Sequence, residues 1–379
     1  MKSQPPDQLT HVGSLVEDRL ATLFASETAR WASNDERLAE AVSTLGKVVN
    51  GRGKRLRAAF CYWAWHGTSW IDSANGLEPR LDTHCAPESL AIDAGAGFEL
   101  MHAFALIHDD VMDDSSLRRG EPTVHVEQSG LLHTNGWRGE ARRYGEGVAI
   151  LLGDLSHVYA DQMMASIPPY ARAVWDELRI ELNLGQYLDL RSAAAAQLDP
   201  ATAAKVSLFK SALYTIVRPL QLGAMLSFAS RATPTAPASP PDEAKNLLGL
   251  LDRFGRPLGR AFQLKDDLLG LLGHERDIGK PVGDDLREGK PTELLAVALQ
   301  RAGNSEMRTL SMIGQRELSP DQIKAIVAVM DGLGAIAEIE ARIDDLVSAA
   351  VESVPDLPFN EQAMRSMGAL AHYVGKRDN

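Results

Sequence analysis

The sequence predicts an all-α fold, a single-domain helical bundle around a central cavity, and three observations support it. Apolar residues recur with helical spacing through most of the 379 residues. No alternating pattern typical of a strand and no repeat of fixed period interrupts them. Hydrophobic residues make up 45% of the chain, which is enough for a large core. We therefore expect one helical domain over residues 1–379.

The helices are predicted in the following order. A flexible N-terminus over about residues 1–12 precedes one or two amphipathic helices within 14–48. Ala-rich and Leu-rich helices follow at 88–113, 146–165, 171–198, 201–230, 242–273, 291–302, 319–350 and 360–375. Loops are expected at 66–87 and at 231–241, where prolines make the connection stiff. Acidic motifs on both sides of the second loop need each other, so we predict one domain rather than two.

Composition and charge exclude several classes of partner and location. A net charge of -12 and a pI near 5.4 argue against nucleic acid or an anionic membrane surface as the main partner. Two cysteines, Cys61 and Cys85, are too few for a disulfide framework or a zinc site and indicate reduced thiols. The first residues contain no apolar signal region, and no run approaches 18 apolar residues. We expect a cytoplasmic protein without a membrane span.

A first acidic motif ends the apolar segment 99–108. Four aspartates follow that segment: Asp109, Asp110, Asp113 and Asp114. Asp109 and Asp113 are four residues apart and share one helix face, where like charges repel by a few tenths of a kcal/mol. Mg²⁺ binding would explain that repulsion, because Mg²⁺ takes one or two carboxylates and completes its shell with waters and phosphate oxygens. Arg118 and Arg119 follow with guanidinium groups that suit phosphate.

A solvated helix end is the more common explanation of a lone pair of aspartates. A second acidic motif therefore decides between the two interpretations. Another apolar helix carries Gln263 and the pair Asp266-Asp267, and a Gly-rich basic segment with Lys280 and Lys290 follows it. The chain thus carries the same arrangement twice: aspartates on an apolar helix, followed by cationic residues in a loop. This arrangement predicts two facing helices that hold metal ions between them.

Three further groups of residues are candidates for binding. The Gly-rich stretch 51–57 carries Lys54 and Arg57, which suit an anion but also suit a solvated helix start. Gln186 and Asp189 share a helix face, where such groups bind a ligand or satisfy each other. Lys210 lies in an apolar helix, where a lysine is costly to bury without an anion unless it extends to the surface.

With these motifs the chain resembles the trans-isoprenyl diphosphate synthases of the polyprenyl synthetase family over about residues 40–375. The first aspartate-rich motif with Arg118-Arg119-Gly120 carries the resemblance. So does a second set: Phe262-Gln263, Asp266-Asp267, Gly279-Lys280 and Lys290. The segments 99–110, 136–139 and 218–224 are similar to the actinobacterial branch of geranylgeranyl diphosphate synthases.

The resemblance implies a fold and a reaction. The fold is the isoprenoid-synthase helical bundle, assembled as a homodimer. The reaction is the head-to-tail condensation of isopentenyl diphosphate with an allylic diphosphate (dimethylallyl, geranyl or farnesyl). It implies three Mg²⁺ ions, with Mn²⁺ as an expected substitute. The family's proton acceptor is the released diphosphate, so no side-chain base is sought.

The resemblance also implies roles for individual residues. The implied catalytic residues are Asp109, Asp110, Asp113, Asp266, Asp267, Lys210 and Lys280. Among them the Mg²⁺ ligands are Asp109, Asp113 and Asp266, supported by Asp110 and Asp267. The allylic diphosphate would be held by Arg118, Lys210, Ser211, Gln263, Lys280 and Lys290. The diphosphate of isopentenyl diphosphate would be held by Lys54, Arg57, His102 and Arg119.

Two features of this chain qualify the resemblance. Gly270 stands where the second motif of the family ends in a third aspartate, so metal binding by this motif depends on Asp266. In the family that the chain resembles, product length depends on the residues five and four before the first aspartate, which are Phe104 and Ala105 here. One aromatic and one small residue resemble C20 producers, so geranylgeranyl diphosphate is the expected product. Farnesyl or longer polyprenyl diphosphates are the alternatives.

Three other classes of protein share part of this pattern. An HD-type metal phosphohydrolase would use His108-Asp109, but it leaves the second aspartate pair unexplained. A class I terpene cyclase shares the acidic helices, but it does not need Lys54, Arg57 and Arg119 for a second diphosphate. A non-catalytic subunit of a heteromeric synthase usually lacks the acidic motifs.

Overall fold

A computed structural model gives the fold. It describes residues 4–51, 53–68, 87–195, 200–227, 242–273, 283–290, 292–315 and 317–377. The first helices are α1 Asp7–Ala32, α2 Glu36–Asn50, α3 Leu56–Thr68, α4 Glu88–Met112, α5 Val124–Thr134, α6 Ala141–Met163 and α7 Pro169–Ala194. Next come α8 Pro200–Val206, a π-helix Ser207–Val217, α9 Arg218–Leu226 and α10 Asp242–Leu272. The last are α11 Asp284–Glu288, α12 Glu293–Arg301, α13 Asn304–Leu310, α14 Pro320–Gly332, α15 Ala335–Ser353, a 3₁₀ turn Val354–Asp356 and α16 Glu361–Lys376.

Local chemistry sets where several helices begin. Asp35 accepts a hydrogen bond from the backbone N–H of Arg37 at the start of α2, and Asn360 accepts one from Ala363 at the start of α16. Ser319 and Gln322 form a reciprocal capping box at the start of α14. Each side chain satisfies a backbone donor that the first helical turn leaves without a partner.

Helix α4 is the centre of the bundle and carries the first acidic motif at its C-terminal end. It packs against α6, α3 and α1, and residues such as Phe98, Leu100 and Met101 are fully buried. Across the described ranges, α4 is the one helix long and apolar enough to cross a membrane, yet 67% of its apolar window is buried within the protein. Its hydropathy therefore matches its place in the core.

The prediction of an all-α fold is confirmed, and several details differ. The N-terminus expected to be flexible is helical from Asp7, because Leu9 and Val12 bury an apolar face. Residues 66–68 of the first predicted loop complete α3; the rest of that loop, and loop 231–241, lie outside the described residues. The predicted helix 201–230 is instead α8, the π-helix and α9 as far as Leu226. The single domain stays a prediction.

One short hairpin also differs from the sequence expectation of no strands. Strands Leu117–Arg118 and Glu121–Pro122 pair in an antiparallel ladder. The central residues of the turn, Arg119 and Gly120, have φ of 55° and 82°. Positive φ at both central residues is the requirement of a type I′ hairpin turn. This turn presents Arg118 and Arg119 directly after the first acidic motif.

Candidate active site

A cavity of about 1090 Å³ brings the two acidic motifs together. Helix α4 contributes Asp109 to its lining, and α10 contributes Asp266 and Asp267. Further predicted site residues that line it are Lys54, Arg57, His102, Phe104, Ala105, Arg118, Arg119, Lys210, Ser211, Gln263 and Lys290. Lys280 lies outside the described residues. The two motifs, 157 positions apart in sequence (266 − 109), therefore face one space.

Asp109 is held by polar groups from two other helices. Lys210 Nζ lies 3.0 Å from Asp109 Oδ1, and Gln186 Nε2 donates to the same oxygen at 2.9 Å. Lys210 also bonds Asp189 Oδ2 at 2.6 Å. Burial pushes the pKa of Asp109 upward, but Lys210, Lys290 and Arg118 outweigh it and hold that pKa well below its usual range. Gln186 and Asp189 therefore belong to the site and do not simply satisfy each other.

Asp110 lies behind the cavity surface and positions an arginine. Arg118 donates from Nε to Asp110 Oδ1 at 2.8 Å and from Nη2 to the same oxygen at 2.6 Å. Arg118 Nη2 lies 3.9 Å from Asp109 Oδ2. Asp110 is buried, so it supports the site by orienting Arg118 beside Asp109.

Asp113 is linked to the segment that follows α10. Lys290 Nζ lies 2.7 Å from Asp113 Oδ2 and 2.7 Å from Glu288 Oε2, and 3.7 Å from Asp285 Oδ1. Burial raises the pKa of Glu288 to about 6, against the opposing effect of Lys290. Lys290 therefore links Asp113, in the first acidic motif, to Glu288 and Asp285, in the segment after α10.

The two acidic motifs form two walls of the cavity: the first wall carries Asp109 and Asp113, and the second lies on α10 with Asp266 and Asp267. Arg377 Nη2 lies 2.7 Å from Asp266 Oδ1 in an ion pair, and Asp267 Oδ1 accepts from Gln263 Nε2 at 2.6 Å. Burial, together with the negative charge of Asp285, raises the pKa of Asp267 well above its usual value. Asp267 therefore keeps a proton more readily than an exposed aspartate does.

A carboxylate from outside α10 lies beside Gly270. A Cβ added to Gly270 would stand 3.2 Å from Asp285 Oδ2. Gly283 N donates to Gly270 O at 3.2 Å and brings α11 against α10. Asp285 thus fills the space into which an aspartate at position 270 would project. The sequence shows Asp284-Asp285, but only this contact places them on the wall.

A group of cations lies on the other side of the cavity. Arg57 stacks 4.2 Å above the Tyr214 ring and donates to Thr215 Oγ1 at 3.2 Å. Tyr214 Oη lies 2.7 Å from His102 Nδ1. Burial, and then nearby arginines, lower the pKa of His102 well below its usual value, so the imidazole is neutral. Burial, and then Arg377, lower the pKa of Lys54 to about 8.

The loop before α3 is shaped by a buried ion pair. Arg55 Nη1 donates to Glu99 Oε2 at 2.8 Å, and both side chains are buried. Arg55 has a φ of 52°, a left-handed conformation that this pair helps to hold. A Cβ at Gly53 would lie 3.3 Å from Arg55 Nη1 and 3.6 Å from Arg119 Nη2. Arg55 is thus a structural cation, and Gly53 leaves room for two guanidinium groups.

The π-helix presents Lys210, Ser211 and Tyr214 to the cavity. π-helical segments are rare and are frequent at functional sites. A Cβ at Gly185 would stand 2.7 Å from Lys210 N, so only glycine lets α7 approach that backbone. Gly259 of α10 plays the same part on the other side, where a Cβ would stand 2.8 Å from the Ala212 side chain.

An aromatic ring, that of Phe104, lines the cavity. Phe104 is 9% exposed, and its ring stacks on His157 with centroids 4.8 Å apart. His108 packs against its edge at 4.7 Å. A Cβ at Gly153 would stand 2.3 Å from the His108 ring, so this glycine makes room for the imidazole. The stack holds Phe104 in a fixed place beside Ala105.

The carboxylate oxygens of the site suit Mg²⁺, and they do not suit a metal ion that is coordinated by protein side chains alone. Within the described ranges, no three His, Cys, Asp or Glu side chains stand close enough to hold a metal by themselves. Mg²⁺ prefers this arrangement, because it binds through one or two carboxylates, keeps waters and takes phosphate oxygens from the substrate. Asp109, Asp113 and Asp266 offer hard oxygen donors of that kind.

Three residues of the site were not predicted: Tyr214, Asp285 and Arg377. Tyr214 is four residues after Lys210, so helical spacing was a signal for it. Arg377 has no such signal, because it reaches the cavity from the far end of the chain. A helical bundle with paired aspartates on two helices and separate cations around one cavity defines the isoprenoid-synthase class.

Comparison with known proteins gives the family. The profile described as Polyprenyl synthetase matches residues 39–330. A geranylfarnesyl diphosphate synthase from Aeropyrum pernix is 30% identical over 340 residues, covering 87% of this chain and 92% of that protein. A geranylgeranyl diphosphate synthase from Mycobacterium tuberculosis is 31% identical over 298 residues, covering 76% of this chain and 74% of that protein.

A solved structure agrees in fold and sequence. Geranylgeranyl pyrophosphate synthase from Corynebacterium glutamicum, complexed with isoprenyl diphosphate and magnesium, matches with a TM-score of 0.85 at 32% identity. The match covers 97% of this chain and 99% of that one. The chain belongs to the polyprenyl synthetase family. The predictions of family and of trans-prenyltransferase activity on isoprenyl diphosphates are thereby confirmed.

Proposed function

We propose that this protein is a Mg²⁺-dependent geranylgeranyl diphosphate synthase. The observation that carries the proposal is the single cavity, which is lined by carboxylates of both acidic motifs, by a separate group of cations and by the ring of Phe104, stacked on His157. The relatives make products of different length, so the C20 assignment rests on this chain's own residues. Farnesyl and longer products are the alternatives.

We propose that Asp109, Asp113 and Asp266 hold three Mg²⁺ ions, with Mn²⁺ as a substitute. Asp285 adds a carboxylate at Gly270 and compensates for the missing third aspartate of the second motif. When bound, Mg²⁺ stabilises the negative charge that develops on a departing diphosphate. Asp110 contributes indirectly, because it orients Arg118.

The cations of the two walls then act on the allylic diphosphate. Lys210, Lys290 and Arg118 are already at the carboxylates and lie within reach of a diphosphate bound there. Ser211 and Gln263 line the same cavity, and Lys280 is assigned by resemblance alone. Preorganised charges of this kind lower the barrier to ionisation by several kcal/mol.

The second substrate is assigned to the group of cations around Lys54. Arg57 and Arg119 would bind its diphosphate, and neutral His102, fixed by Tyr214, would donate a hydrogen bond. Holding isopentenyl diphosphate beside the allylic cation reduces the entropic cost of the condensation. The proton lost at the end goes to the released diphosphate. The apolar part of the cavity keeps water from the cation.

The product length is assigned to Phe104. Its ring ends the cavity and cannot turn aside without losing contact with His157 and His108. Ala105 beside it is small. The cavity is therefore deeper than it would be with large residues at both positions. These features favour a C20 chain.

We also propose a cytoplasmic homodimer. Helices α6 and α7 expose a set of apolar side chains: Ile150, Leu151, Val158, Ile180 and Leu184. Exposed apolar patches of this kind mark protein interfaces. Light scattering should give twice the mass of the 41.1 kDa chain. Cys61 is a buried free thiol, in keeping with a reducing compartment.

The test is incubation with isopentenyl diphosphate, each allylic starter and Mg²⁺, followed by chromatography of the dephosphorylated alcohols. Geranylgeraniol as the main alcohol supports the proposal. Farnesol or longer alcohols would contradict the C20 assignment. A cyclic hydrocarbon made from an allylic diphosphate alone would support a terpene cyclase instead. Release of phosphate from nucleotides without prenyl transfer would support a phosphohydrolase.

A further inference from the structure

Arg55 combines an unusual backbone conformation with a buried side chain. It lies between Lys54 and Arg57, two of the cations assigned to isopentenyl diphosphate. Its carbonyl accepts from Ala59 N at 3.0 Å at the start of α3. Its φ of 52° is in the left-handed region, which residues with a Cβ avoid. Such a conformation persists only where surrounding contacts hold it, and it is frequent at functional sites.

The guanidinium group of Arg55 supplies the contacts that hold this turn. Nη1 donates to Glu99 Oε2 of α4 at 2.8 Å, and Nη2 donates to Val49 O of α2 at 3.1 Å. Nε donates to Glu17 Oε1 of α1 at 3.4 Å. The Arg55 side chain is only 4% exposed. One buried side chain therefore fixes the turn before α3 against three other helices.

Glu99 is the buried carboxylate that balances two neighbouring guanidinium groups. A Cβ at Gly53 would lie close to both Arg55 Nη1 and Arg119 Nη2, so the two groups converge at this glycine and their like charges repel. Burial, and then Arg118, lower the pKa of Arg119, whereas the charge of Glu99 opposes them. The second oxygen of Glu99, Oε1, is buried and has no hydrogen-bond partner among the described residues. Glu99 thus retains an acceptor beyond its bond to Arg55.

We propose that the buried Arg55–Glu99 pair positions the cations that bind isopentenyl diphosphate. Through Arg55, the pair fixes the turn that presents Lys54 and Arg57. Through Glu99, it also holds Arg119 beside that turn. All of these side chains line the cavity. This inference rests on the proposed function, and its physical basis is that cations held in place beforehand lose little conformational freedom when the diphosphate binds.

The pair should act on one substrate only, because other segments hold the cations assigned to the allylic diphosphate. Lys210 pairs with Asp109, and Lys290 pairs with Asp113. Among the described contacts, Arg55 reaches neither lysine. Loss of the pair should therefore weaken the binding of isopentenyl diphosphate and leave the binding of the allylic substrate nearly unchanged.

The double variant Arg55→Met with Glu99→Gln tests the proposal. It removes both charges together, so that no unpaired buried charge is left to unfold the protein. In steady-state kinetics the KM for isopentenyl diphosphate should rise about tenfold, as for the loss of a charged hydrogen bond. The KM for farnesyl diphosphate and kcat should stay within about twofold of the wild type. Arg55→Lys keeps the charge but not the forked donors, so its rise should be smaller, about threefold.

Arg19→Met is the matched control, because Arg19 also joins α1 to α4. Its Nε lies 2.6 Å from Asp93 Oδ1, and both side chains are partly exposed. This variant should change neither KM. An equal rise of both KM values in the double variant, or an unchanged KM for isopentenyl diphosphate, would overturn the proposal and leave the pair a structural contact. If the double variant does not fold, Arg55→Lys decides alone, and an unchanged KM for isopentenyl diphosphate would be contrary.

The two proposals fail in different ways. A wild-type protein that forms no prenyl product refutes the proposed function, whatever the Arg55–Glu99 pair does. A wild-type protein that makes geranylgeranyl diphosphate, together with a double variant whose KM values match it, refutes only the role of the pair.

Discussion

The two acidic walls of the cavity are built in different ways. The first wall takes Asp109 from the last turn of α4 and Asp113 from the residue directly after it, and each carboxylate is paired with a lysine, Lys210 or Lys290. The second wall takes Asp266 from α10, pairs it with an arginine and borrows Asp285 from the next helix. One wall is therefore local in sequence, and the other exists only when distant segments fold together.

This difference separates two ways of making a metal-binding surface. The local wall needs only helical spacing to place its carboxylates. The composite wall needs Gly270, because a side chain there would compete with Asp285 for space. We expect substitution of the proposed metal ligand in either wall to remove most of the function, and substitution of the borrowed carboxylate Asp285 to have a graded effect.

Removing Asp109 should have the largest effect. Asp109→Ala should lower kcat by about 10³-fold or more, because the main charge-stabilising contacts to the diphosphate depend on it. Turnover is measured at saturating Mg²⁺, so that weakened metal binding alone does not explain the loss. Asp114→Asn is the control: this aspartate is exposed, pairs with Arg142 and should keep most activity. Near-wild-type turnover of Asp109→Ala would refute the mechanism.

Asp285 tests the composite wall. Asp285→Asn should raise the Mg²⁺ concentration that gives half-maximal activity about tenfold, because one carboxylate partner of the metal site is lost. Metal binding is measured directly by calorimetry in parallel. Asp284→Asn is the control, since Asp284 pairs with Arg287 at 2.8 Å. An equal effect of both variants would show that Asp285 has no particular role.

Lys54 gives a pH dependence with a definite sign. Its pKa is lowered to about 8, so the free enzyme carries the charge below pH 8 and loses it above. Only the protonated amine attracts a diphosphate, so kcat/KM for isopentenyl diphosphate should fall above pH 8 by up to about tenfold per pH unit. Lys54→Arg keeps its charge and should remove that decline. An identical profile in both proteins would assign the decline to another group.

Phe104 should change the product and not the rate. Phe104→Ala opens the end of the cavity, so the product should lengthen by one or more isoprene units while turnover stays within about tenfold of the wild type. Chromatography of the alcohols measures the shift. Leu184→Ala, on the exposed face of α7, should leave the product unchanged. If Phe104→Ala still gives only the wild-type product, another residue ends the cavity.

Most of the helical architecture could be predicted because periodic apolar residues determine it. The helix bearing Asp109 and the helix bearing Asp266 were both expected within a few residues of their observed ends. The π-helix was not, because its backbone depends on close packing against Gly185 and Gly259. The N-terminus was expected to be flexible, since polar residues at its start hide the burial of Leu9 and Val12.

The site was predictable where it is local and not where it is assembled. Asp109 and Arg118 lie in one stretch of sequence, so their partnership could be expected. Asp285 reaches Gly270, and Arg377 reaches Asp266, only through the packing of α11 and the end of α16 against α10. Such contacts leave no periodic trace in the sequence, because each residue is unremarkable among its own neighbours.

The central claim is that both walls bind the same diphosphate and metal ions. Its most direct test is calorimetry of a non-reactive allylic thiodiphosphate with Mg²⁺ in the wild type, Asp109→Ala, Asp266→Ala and the double variant. Each single variant should lose most of the affinity, and the double variant should lose much less than the sum of the two losses, because groups that share one ligand are not additive. Full additivity, or a loss confined to one wall, would contradict the account.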